Sequence, residues 1–496
     1  MTDAQHVDGA ALVVLGATGD LAARKLYPAI ASLAQRGQLP AKFCLLGVAR
    51  TEQTDEGFRE ECKVAVQKAH PDAVDAFDQH VACTKYVTGS FDDKATWAGL
   101  KSALEACDRD HGTGGNRVFY LSTLPQFFET VVTGLSGSGL NTDVEGGSTR
   151  IVIEKPFGHD LESARELNDF VHGHFEERQI FRIDHYLGKE TVQNVLALRF
   201  ANAIFEPIWD RRYIDNVQIT IAESIGVEHR GTFYEQAGTV RDIVQNHAMQ
   251  VLSLVTMEPP ASFEADPVRD EKVKVLGSVE RFHPFDVPLS VVRGQYGEGT
   301  VDGVPVDGYR DEEGVAPDSA TETYIAIRFG IDNWRWAGVP FYLRAGKRLA
   351  KRTTEVALRF KSVPHLALPT TAIDSIEPNT LVLRIQPDEG VRLEFAAKVP
   401  GTGFAVRTVG LDFSYREGFR EVAPEAYERL LLDVMHGDAT LFIREDEVDV
   451  AWQIVQPILD AISGGSLPVH AYNSGTWGPA AAEAILDPRL DQWRNP

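Results

Sequence analysis

One short segment of the chain carries four kinds of reactive side chain. Residues 182–190 read R-I-D-H-Y-L-G-K-E and contain the carboxylate of Asp184, the imidazole of His185, the phenol of Tyr186 and the ammonium of Lys189. In a helix that begins near Asp184, His185 and Lys189 occupy positions i and i+4, so both could hold the same anion. A lone histidine is more often structural, but this density of polar groups favours an anion site.

A second segment offers a general base. The stretch T-V-R-D-I-V-Q-N-H (239–247) carries Asp242 and His247 within a predicted helix. A neutral histidine is the usual base near neutral pH, and a buried carboxylate can orient it and stabilise the imidazolium that forms. Taken alone, His247 is more often a structural histidine than a base.

A third set of residues is typical of a dinucleotide site. G-A-T-G-D-L-A (16–22) follows the first predicted strand and opens a helix, so Gly16 and Gly19 could let backbone N–H groups approach a pyrophosphate. The spacing departs from G-x-G-x-x-G, and a plain turn is the alternative. Arg50 ends the second strand, where it favours NADP over NAD; an ordinary surface arginine is the alternative.

The chain as a whole is acidic. Among its 496 residues are 49 Lys and Arg and 72 Asp and Glu, giving a net charge of −23, which excludes a general nucleic-acid binder and disfavours anionic membrane surfaces. The segment A-G-K-R-L-A-K-R (345–352) nevertheless packs four cations together. It predicts either a solvated face or a site for an anionic substrate.

The cysteines and the N-terminus indicate the compartment. Cys44, Cys62, Cys83 and Cys107 show no C-x-x-C spacing, so we expect reduced thiols and no zinc site. The first ten residues lack the basic and apolar regions of a signal peptide, and no window is apolar enough for a membrane span. These features predict a cytoplasmic protein with no membrane partner.

Two kinds of sheet must position these residues. Apolar runs such as 11–15 and 43–49 alternate with helical segments, which predicts a Rossmann-type, doubly wound parallel sheet over residues 1–190. Later strands such as 355–360 alternate apolar and polar residues, so residues 191–496 are predicted to form a larger domain on a mainly antiparallel sheet. The fold class is α/β followed by α+β.

Together these motifs resemble the glucose-6-phosphate dehydrogenase family. The matching stretches include 16–28, 153–158, 182–190, 245–250 and 341–347, in the family's order, and R-I-D-H-Y-L-G-K-E is the most specific of them. The resemblance implies oxidation of β-D-glucose 6-phosphate at C1 to 6-phosphoglucono-δ-lactone, the entry to the oxidative pentose phosphate pathway. It also implies NADP as coenzyme with NAD as a weaker substitute, no metal, and a homodimer or homotetramer.

The same resemblance assigns residue roles. His247 is the implied base, and Asp184 is its implied partner, since Asp242 lies five positions before His247 and off its face of an α-helix. The implied coenzyme residues are Gly16, Ala17, Thr18, Gly19, Asp20, Leu21, Arg50 and Lys155. The implied substrate residues are Lys25, Lys155, His185, Tyr186, Lys189, Glu223, Asp242, Lys347 and Arg352.

Two alternatives belong to other classes. A sugar oxidoreductase of the glucose–fructose oxidoreductase type also combines a dinucleotide fold, an E-K-P motif and an antiparallel sheet, but it acts on unphosphorylated sugars. The cations of 345–352 and the pair His185 and Lys189 argue against it. A catalytically inactive NADP sensor is the second alternative, and it would have no use for Asp184 and His247.

Overall fold

A computed structural model describes residues 8–365, 377–401, 405–419, 424–487 and 493–496. By its internal contacts the chain divides into two compact units. Unit 1 extends to Lys189 and also contains Pro260–Arg269 and Pro424–Asp449; unit 2 comprises Glu190–Pro259, Asp270–Ala423 and Val450–Pro496. Two short segments that the sequence division at residue 190 assigns to the second domain therefore lie with unit 1.

The helices follow the sequence signals for helix ends. In chain order they are α1 Tyr27–Gln35, α2 Asp55–Ala69, α3 Val74–His80, α4 Lys94–His111, α5 Phe128–Gly137, α6 Leu161–His172, α7 Glu190–Phe200, α8 Gly231–Thr239, α9 Met249–Thr256, α10 Ala265–Gly277, α11 Val287–Ser290, α12 Tyr415–Phe419, α13 Ala426–His436 and α14 Glu445–Ser463. The side chain of Thr54 caps α2, and Asp160 and Ser163 form a capping box on α6. Two further segments, Ala22–Leu26 and Val240–Ala248, are π-helical.

Unit 1 is built on a six-stranded sheet in which every pairing is parallel. Its strands are β1 Gly9–Leu15, β2 Lys42–Ala49, β3 Cys83–Thr88, β4 Arg117–Leu121, β5 Thr149–Glu154 and β6 Ile180–Ile183, in the order β3-β2-β1-β4-β5-β6. All residues of β1 are buried, as expected for a strand covered on both faces. The order reverses between β1 and β4, and ligands bind at the carboxyl end of such a switch point. The predicted Rossmann-type sheet is confirmed.

Helix α13 belongs to unit 1 because its side chains reach the unit's other elements. The Tyr427 hydroxyl donates to the Glu154 carboxylate at 3.2 Å, and Arg36 forms an ion pair with Glu428 at 3.6 Å. This late segment of the chain thereby joins a unit that is formed mainly by the residues up to Lys189.

The expectation of four reduced thiols is wrong for two of them. Cys44 on β2 and Cys83 on β3 are direct partners in the parallel register, with Cα atoms 4.8 Å apart, and they form a disulfide. Cys62 and Cys107 are buried free thiols. Sequence spacing could not reveal the pair, because β3 was not predicted and the register between two strands is set by the whole sheet.

Unit 2 is built on a ten-stranded mixed sheet. Its strands are β7 Ile214–Ala222, β8 Val291–Val301, β9 Val304–Val306, β10 Tyr324–Phe329, β11 Phe341–Gly346, β12 Thr353–Phe360, β13 Thr380–Gln386, β14 Gly390–Lys398, β15 Val406–Ser414 and β16 Val469–Ser474. Nine follow the order β15-β14-β13-β12-β7-β11-β10-β8-β16, and β9 pairs with β8. Only β7 with β11 and β8 with β16 are parallel among these pairings, so the predicted mainly antiparallel sheet is confirmed.

One core of unit 2 is rich in tyrosine. Its buried tyrosines are Tyr234, Tyr296, Tyr309, Tyr324, Tyr342 and Tyr472. Tyrosine fills apolar space and keeps a hydroxyl that can fix a backbone carbonyl, so this core can also hold polar strand ends in place. Within the described part of the chain, no helix is long and apolar enough to cross a membrane.

Candidate active site

The predicted coenzyme turn follows β1 in unit 1. Gly16 has a φ of 92°, a left-handed value that favours glycine, and a Cβ on it would lie 2.3 Å from the Ser122 carbonyl oxygen. A side chain at this position would therefore collide with the end of β4. The turn needs glycine at position 16 for its backbone conformation and for close packing at the switch point.

The backbone amides of this turn fall into two groups. Gly16 and Ala17 donate to the Val48 carbonyl at 2.9 and 3.2 Å, and Gly19 donates to the Gly16 carbonyl at 3.0 Å. Among the described residues, no acceptor is found for the amides of Thr18, Asp20 and Leu21. Unpaired N–H groups at the start of a helical segment are typical anion ligands, so these three amides can bind a pyrophosphate.

Other predicted coenzyme residues follow strand ends at the same edge of the sheet. Arg50 directly follows β2 and is exposed, and Lys155 follows β5. Ser122 directly follows β4, and its buried hydroxyl has no hydrogen-bond partner in the part of the chain that the structure describes. Ser122 was not among the site residues predicted from the sequence. A hydroxyl placed directly after a switch-point strand was the available signal.

Lys25 lies beside this turn, in the π-helical segment Ala22–Leu26. Its ammonium is 3.2 Å from the Glu425 carboxylate, and both side chains are about half exposed. The exposure leaves the ammonium accessible to a further anion, as the substrate role predicted for Lys25 requires.

Residues 185–188 form turns, so the helix from Asp184 that would place His185 and Lys189 at positions i and i+4 is not formed. The Asp184 carboxylate accepts a hydrogen bond from the Tyr186 amide at 2.9 Å, and the Asp184 carbonyl accepts from the Leu187 amide at 3.0 Å. An aspartate that bonds to the amide two residues later stabilises a turn and competes with a helix. Helix α7 begins only at Glu190.

The turns nevertheless bring the predicted anion ligands of unit 1 together. The Lys189 ammonium lies 3.9 Å from the centre of the Tyr186 ring, and the His185 and Tyr186 rings are 5.3 Å apart. The His185 ring also stacks on that of Tyr427, at 6.3 Å. An imidazole, a phenol and an ammonium therefore cluster through turn geometry instead of a shared helix face.

A buried carboxylate lies at the carboxyl end of β5. Glu154 accepts hydrogen bonds from the hydroxyls of Tyr120 at 2.5 Å and Tyr427 at 3.2 Å. Burial raises the pKa of its carboxyl, and the nearby charge of Asp184 acts in the same direction. Glu154 precedes the predicted Lys155, but no role was predicted for it, because its two tyrosine partners are far away in sequence.

In unit 2 the sheet brings Glu223 and Lys347 together. Glu223 directly follows β7 and Lys347 directly follows β11, and these strands are parallel neighbours with Ala222 opposite Gly346. The Lys347 ammonium donates to the Glu223 carboxylate in a tight ion pair and lies 5.1 Å from the centre of the Tyr234 ring. Two predicted substrate residues thus form one ion pair, in which Lys347 is buried and Glu223 is partly exposed.

Asp242 and His247 lie in the π-helical segment Val240–Ala248. In a π-helix each amide bonds to the carbonyl five residues earlier, so residues five apart lie close to one face. The expectation that Asp242 lies off the His247 face assumed an α-helix, whereas this segment is π-helical. His247 is buried, and its backbone amide donates to the Asn246 side chain at 2.7 Å.

A kink at Gly238 starts this π-helical segment. Gly238 has φ 61° and ψ 179°, and a Cβ on it would lie 2.3 Å from a Glu322 carboxylate oxygen. The same carboxylate accepts from the Val240 amide at 3.2 Å, and the Glu322 carbonyl accepts from the Thr239 amide at 3.2 Å. Glu322 therefore fixes where the segment that carries Asp242 and His247 begins.

Tyr472 holds the backbone of Lys347. Its hydroxyl donates to the Lys347 carbonyl at 2.7 Å, and the Lys347 amide donates to the Thr323 carbonyl at 2.9 Å. Tyr472 comes from β16, and no sequence signal linked it to the lysine. A single buried phenol therefore fixes the strand end from which the Lys347 ammonium projects.

The four cations predicted as one cluster have separate environments. Arg348 pairs with Glu312 at 3.4 Å, whereas Lys347 pairs with Glu223. Lys351 and Arg352 are exposed before β12. The structure therefore leaves Arg352, with Lys351, as an exposed cation and directs the others toward carboxylates.

Comparison with known proteins gives matches along both units. The family model for the glucose-6-phosphate dehydrogenase NAD binding domain matches residues 13–194, and that for the C-terminal domain matches residues 196–494. The glucose-6-phosphate 1-dehydrogenase 2 of Mycobacterium tuberculosis (strain ATCC 25618 / H37Rv) is 48% identical, over 98% of this chain and 94% of its own length. The glucose-6-phosphate 1-dehydrogenase of Bacillus subtilis (strain 168) is 43% identical, over 96% of each.

Solved structures match over the same length. A glucose-6-phosphate dehydrogenase in complex with its substrate glucose-6-phosphate has a TM-score of 0.88 and 37% identity, covering 97% of this chain and 98% of that one. The glucose-6-phosphate 1-dehydrogenase from Mycobacterium avium has a TM-score of 0.83 and 39% identity, covering 99% of both chains.

Proposed function

This chain belongs to the glucose-6-phosphate dehydrogenase family and catalyses that family's reaction, and we propose that NADP is its hydride acceptor. The reaction oxidises glucose 6-phosphate at C1 and is the first step of the pentose phosphate pathway. The match of both family domains, which together extend over residues 13–494, carries this conclusion.

We propose His247 as the base of the reaction. Its imidazole removes the proton of the C1 hydroxyl while the C1 hydride departs, so that C1 becomes the carbonyl carbon of the lactone. The nicotinamide, when bound, accepts that hydride. Asp184 is the proposed orienting carboxylate of this base.

Unit 2 supplies the proposed contacts to the sugar ring. A sugar hydroxyl both donates and accepts, so the carboxylates of Glu223 and Asp242 suit its proton and the Lys347 ammonium suits its oxygen. The ion pair between Glu223 and Lys347 supports this role, because it orders both groups before the sugar arrives. Arg352 is the proposed cation of unit 2 for the phosphate.

Unit 1 supplies the other proposed phosphate ligands. His185, Tyr186 and Lys189 form one cluster in consecutive turns, and each can donate a hydrogen bond to a phosphate oxygen. Lys25 and Lys155 are the proposed cations between this cluster and the coenzyme turn. A dianionic ester needs several cations of this kind in a chain with a net charge of −23.

The residues of the coenzyme turn fit a dinucleotide. The close approach at Gly16, the unpaired amides of Thr18, Asp20 and Leu21, and the buried Ser122 hydroxyl together suit a pyrophosphate. We propose NADP over NAD because Arg50 follows β2, where it can pair with a 2′-phosphate. NAD is the weaker substitute in this proposal.

We also propose that the protein forms a homo-oligomer through β14 and β15. In their antiparallel register, three cross-strand pairs share one face: Val391 with Phe413, Leu393 with Leu411, and Phe395 with Val409. None of the six is buried, and Leu411 is 61% exposed. A second copy of this chain would cover such an apolar ladder, as a two-fold interface places the same patch on both subunits.

The reaction and the coenzyme can be tested in one assay. Purified protein is mixed with glucose 6-phosphate and NADP, and the absorbance of the reduced nicotinamide is followed; NAD then replaces NADP, and unphosphorylated glucose replaces the ester. We expect rapid reduction only with the ester, and faster with NADP than with NAD. Equal rates with glucose and its 6-phosphate would contradict the assigned substrate and favour the enzyme class that acts on unphosphorylated sugars. A faster reaction with NAD than with NADP would contradict the coenzyme assignment.

A further inference from the structure

Unit 2 contains a cavity of about 290 Å³ that none of the proposed catalytic roles uses. Its walls include Arg241, Arg293, Glu322, Gly238 and the exposed Ala320. The cavity therefore borders the kink that precedes the segment carrying Asp242 and His247.

Arg293 is the unusual group in this cavity. It is 7% exposed, and it donates from Nε to the Leu467 carbonyl at 2.8 Å and from Nη1 to the Ala320 carbonyl at 3.1 Å. Within the described chain, its Nη2 has no hydrogen-bond acceptor, and no carboxylate lies within ion-pair distance of the guanidinium. A buried guanidinium N–H without an acceptor is costly, so this Nη2 group is available as a donor to an anion.

The two carboxylates of the cavity walls, Glu235 and Glu322, are engaged by donors other than the Nη2 group of Arg293. Burial alone would raise the pKa of Glu235, but hydrogen bonds from Ser319 and Tyr309, both at 2.6 Å, hold it below its usual value and occupy the carboxylate. Burial raises the pKa of Glu322, the charges of Arg293 and Arg241 act in the opposite direction, and its carboxylate accepts from the Val240 amide at 3.2 Å. Arg241 adds a second guanidinium to the walls.

We propose that this cavity binds a small oxyanion, a phosphate or a carboxylate, between the guanidinium groups of Arg293 and Arg241. A guanidinium presents paired N–H donors that match two oxygens of such an anion. The bound anion supplies the acceptor that the Nη2 group of Arg293 lacks among the described residues. Because Arg293 lies on β8 and Arg241 lies in the π-helical segment, the anion also links these two elements. The anion is a ligand and takes no part in the reaction.

Calorimetric titration of the intact protein tests the proposal. Saturating glucose 6-phosphate and NADPH fill the catalytic sites without turnover, and inorganic phosphate or, separately, malonate is then titrated. Ala320→Glu places a carboxylate at the exposed mouth of the cavity, and Ala320→Gln is the uncharged control of the same size. Arg293→Met removes the buried guanidinium, with the exposed Arg328→Met as its control.

We expect one binding event in the native chain, for at least one of the two anions. The affinity for the anion should be at least about tenfold weaker in Ala320→Glu than in Ala320→Gln. The new carboxylate either fills the anion site or repels the anion from it. Binding should be lost in Arg293→Met and kept in Arg328→Met. Tighter binding of phosphate or of malonate identifies the class of anion. Absence of binding for both anions, or equal affinity in the two Ala320 variants, overturns the proposal.

Discussion

At the scale of single residues, the imidazole of His247 is the group on which the proposed chemistry depends. His247→Asn keeps a polar side chain of similar size but removes the base. We expect kcat to fall by about 10²–10⁴-fold, the range of general-base catalysis, with little change in the KM for glucose 6-phosphate. Steady-state kinetics measures both values.

His229→Asn is the control for this substitution, because the side chain of His229 is 94% exposed. Its kinetics should match those of the native enzyme. An active His247→Asn variant would exclude His247 as the base.

Tyr472 acts on Lys347 through the backbone, so its removal should affect substrate binding. Tyr472→Phe deletes the hydroxyl that donates to the Lys347 carbonyl, leaving a buried acceptor with one donor fewer. We expect a loss of about 1–3 kcal/mol in the free energy of unfolding, and a KM for glucose 6-phosphate raised by up to about tenfold. Denaturant unfolding and steady-state kinetics measure the two effects.

Tyr324→Phe provides the matched control. Tyr324 belongs to the same buried core, but its hydroxyl has no hydrogen-bond partner among the residues that the structure describes. Its removal should leave stability unchanged or slightly improved. If both variants behave alike, Tyr472 has no positioning role.

Glu154 makes the stability of unit 1 depend on pH. Its folded-state pKa is raised above the usual value, so the folded chain holds this proton more tightly, and its contribution to stability decreases as pH rises through the folded pKa. Glu154→Gln does not titrate. The difference in melting temperature, variant minus native, should therefore grow more positive as pH rises from about 4.5 toward 8.

Glu235→Gln should show the opposite trend. The pKa of Glu235 is lowered, so the native carboxylate contributes stability above its unfolded pKa and loses that contribution as pH falls. Melting curves for both variants, with the pH series extended below about 4.5 for Glu235→Gln, compare the two directions. Parallel pH trends would contradict the assignments.

At the scale of secondary-structure elements, the kink at Gly238 determines where the π-helical segment begins. Gly238→Ala requires a backbone conformation that other residues avoid, at a cost of about 1–3 kcal/mol, and its Cβ would collide with Glu322. We expect a lower melting temperature together with a reduced kcat, because the displaced kink moves His247. Thermal unfolding and kinetics test this.

Gly338→Ala separates the effect of a left-handed backbone conformation from the effect of displacing the kink. Gly338 also has a left-handed φ, 83°, but nothing lies within 4 Å of a Cβ built on it. It should lose some stability and keep its kcat. An equal loss of kcat in both variants would contradict the role of the Gly238 kink.

Strands whose buried residues follow a regular spacing along the chain could be predicted from the sequence. The parallel strands of unit 1 appear as short apolar runs, and the strands of unit 2 appear as alternating ones, so both sheets were predicted. The turns at 184–189 were not, because the Asp184 side chain captures an amide that a helix would use. The π-helical segment carrying His247 was also missed, since apolar spacing does not report five-residue hydrogen bonding.

The candidate site shows the same division. Residue types with strong chemical meaning, such as His185, Lys189 and His247, stand out in the sequence by themselves. Glu154 and Tyr472 do not, because their importance comes from partners that only the folded chain brings near. The disulfide between Cys44 and Cys83 belongs to this second group, since it follows from strand register.

At the scale of the whole molecule, the apolar ladder on β14 and β15 predicts the assembly state. Leu411→Glu places a charge in the centre of that face, where a second copy would have to bury it without a partner. We expect the native chain to be a dimer or tetramer, and this variant to have the mass of one chain, 54.7 kDa. Size-exclusion chromatography with light scattering measures the mass.

Thr408→Glu is the control on the opposite face of the same strand. In the strand register, Thr408 pairs with Ala396, outside the apolar ladder. This variant should retain the native mass. A native protein with the mass of one chain would contradict the proposed interface. A Leu411→Glu variant that still assembles would contradict it too.

The inclusion of Pro424–Asp449 in unit 1 has a consequence for how the protein is made. As the ribosome releases the chain from its N-terminus, the six strands of unit 1 emerge first, but Tyr427, which donates to the buried Glu154, emerges after most of unit 2. Unit 1 can therefore be completed only after the last quarter of the chain has been released. Until then, part of its surface is uncovered. Chaperones protect partly folded intermediates of this kind from aggregation.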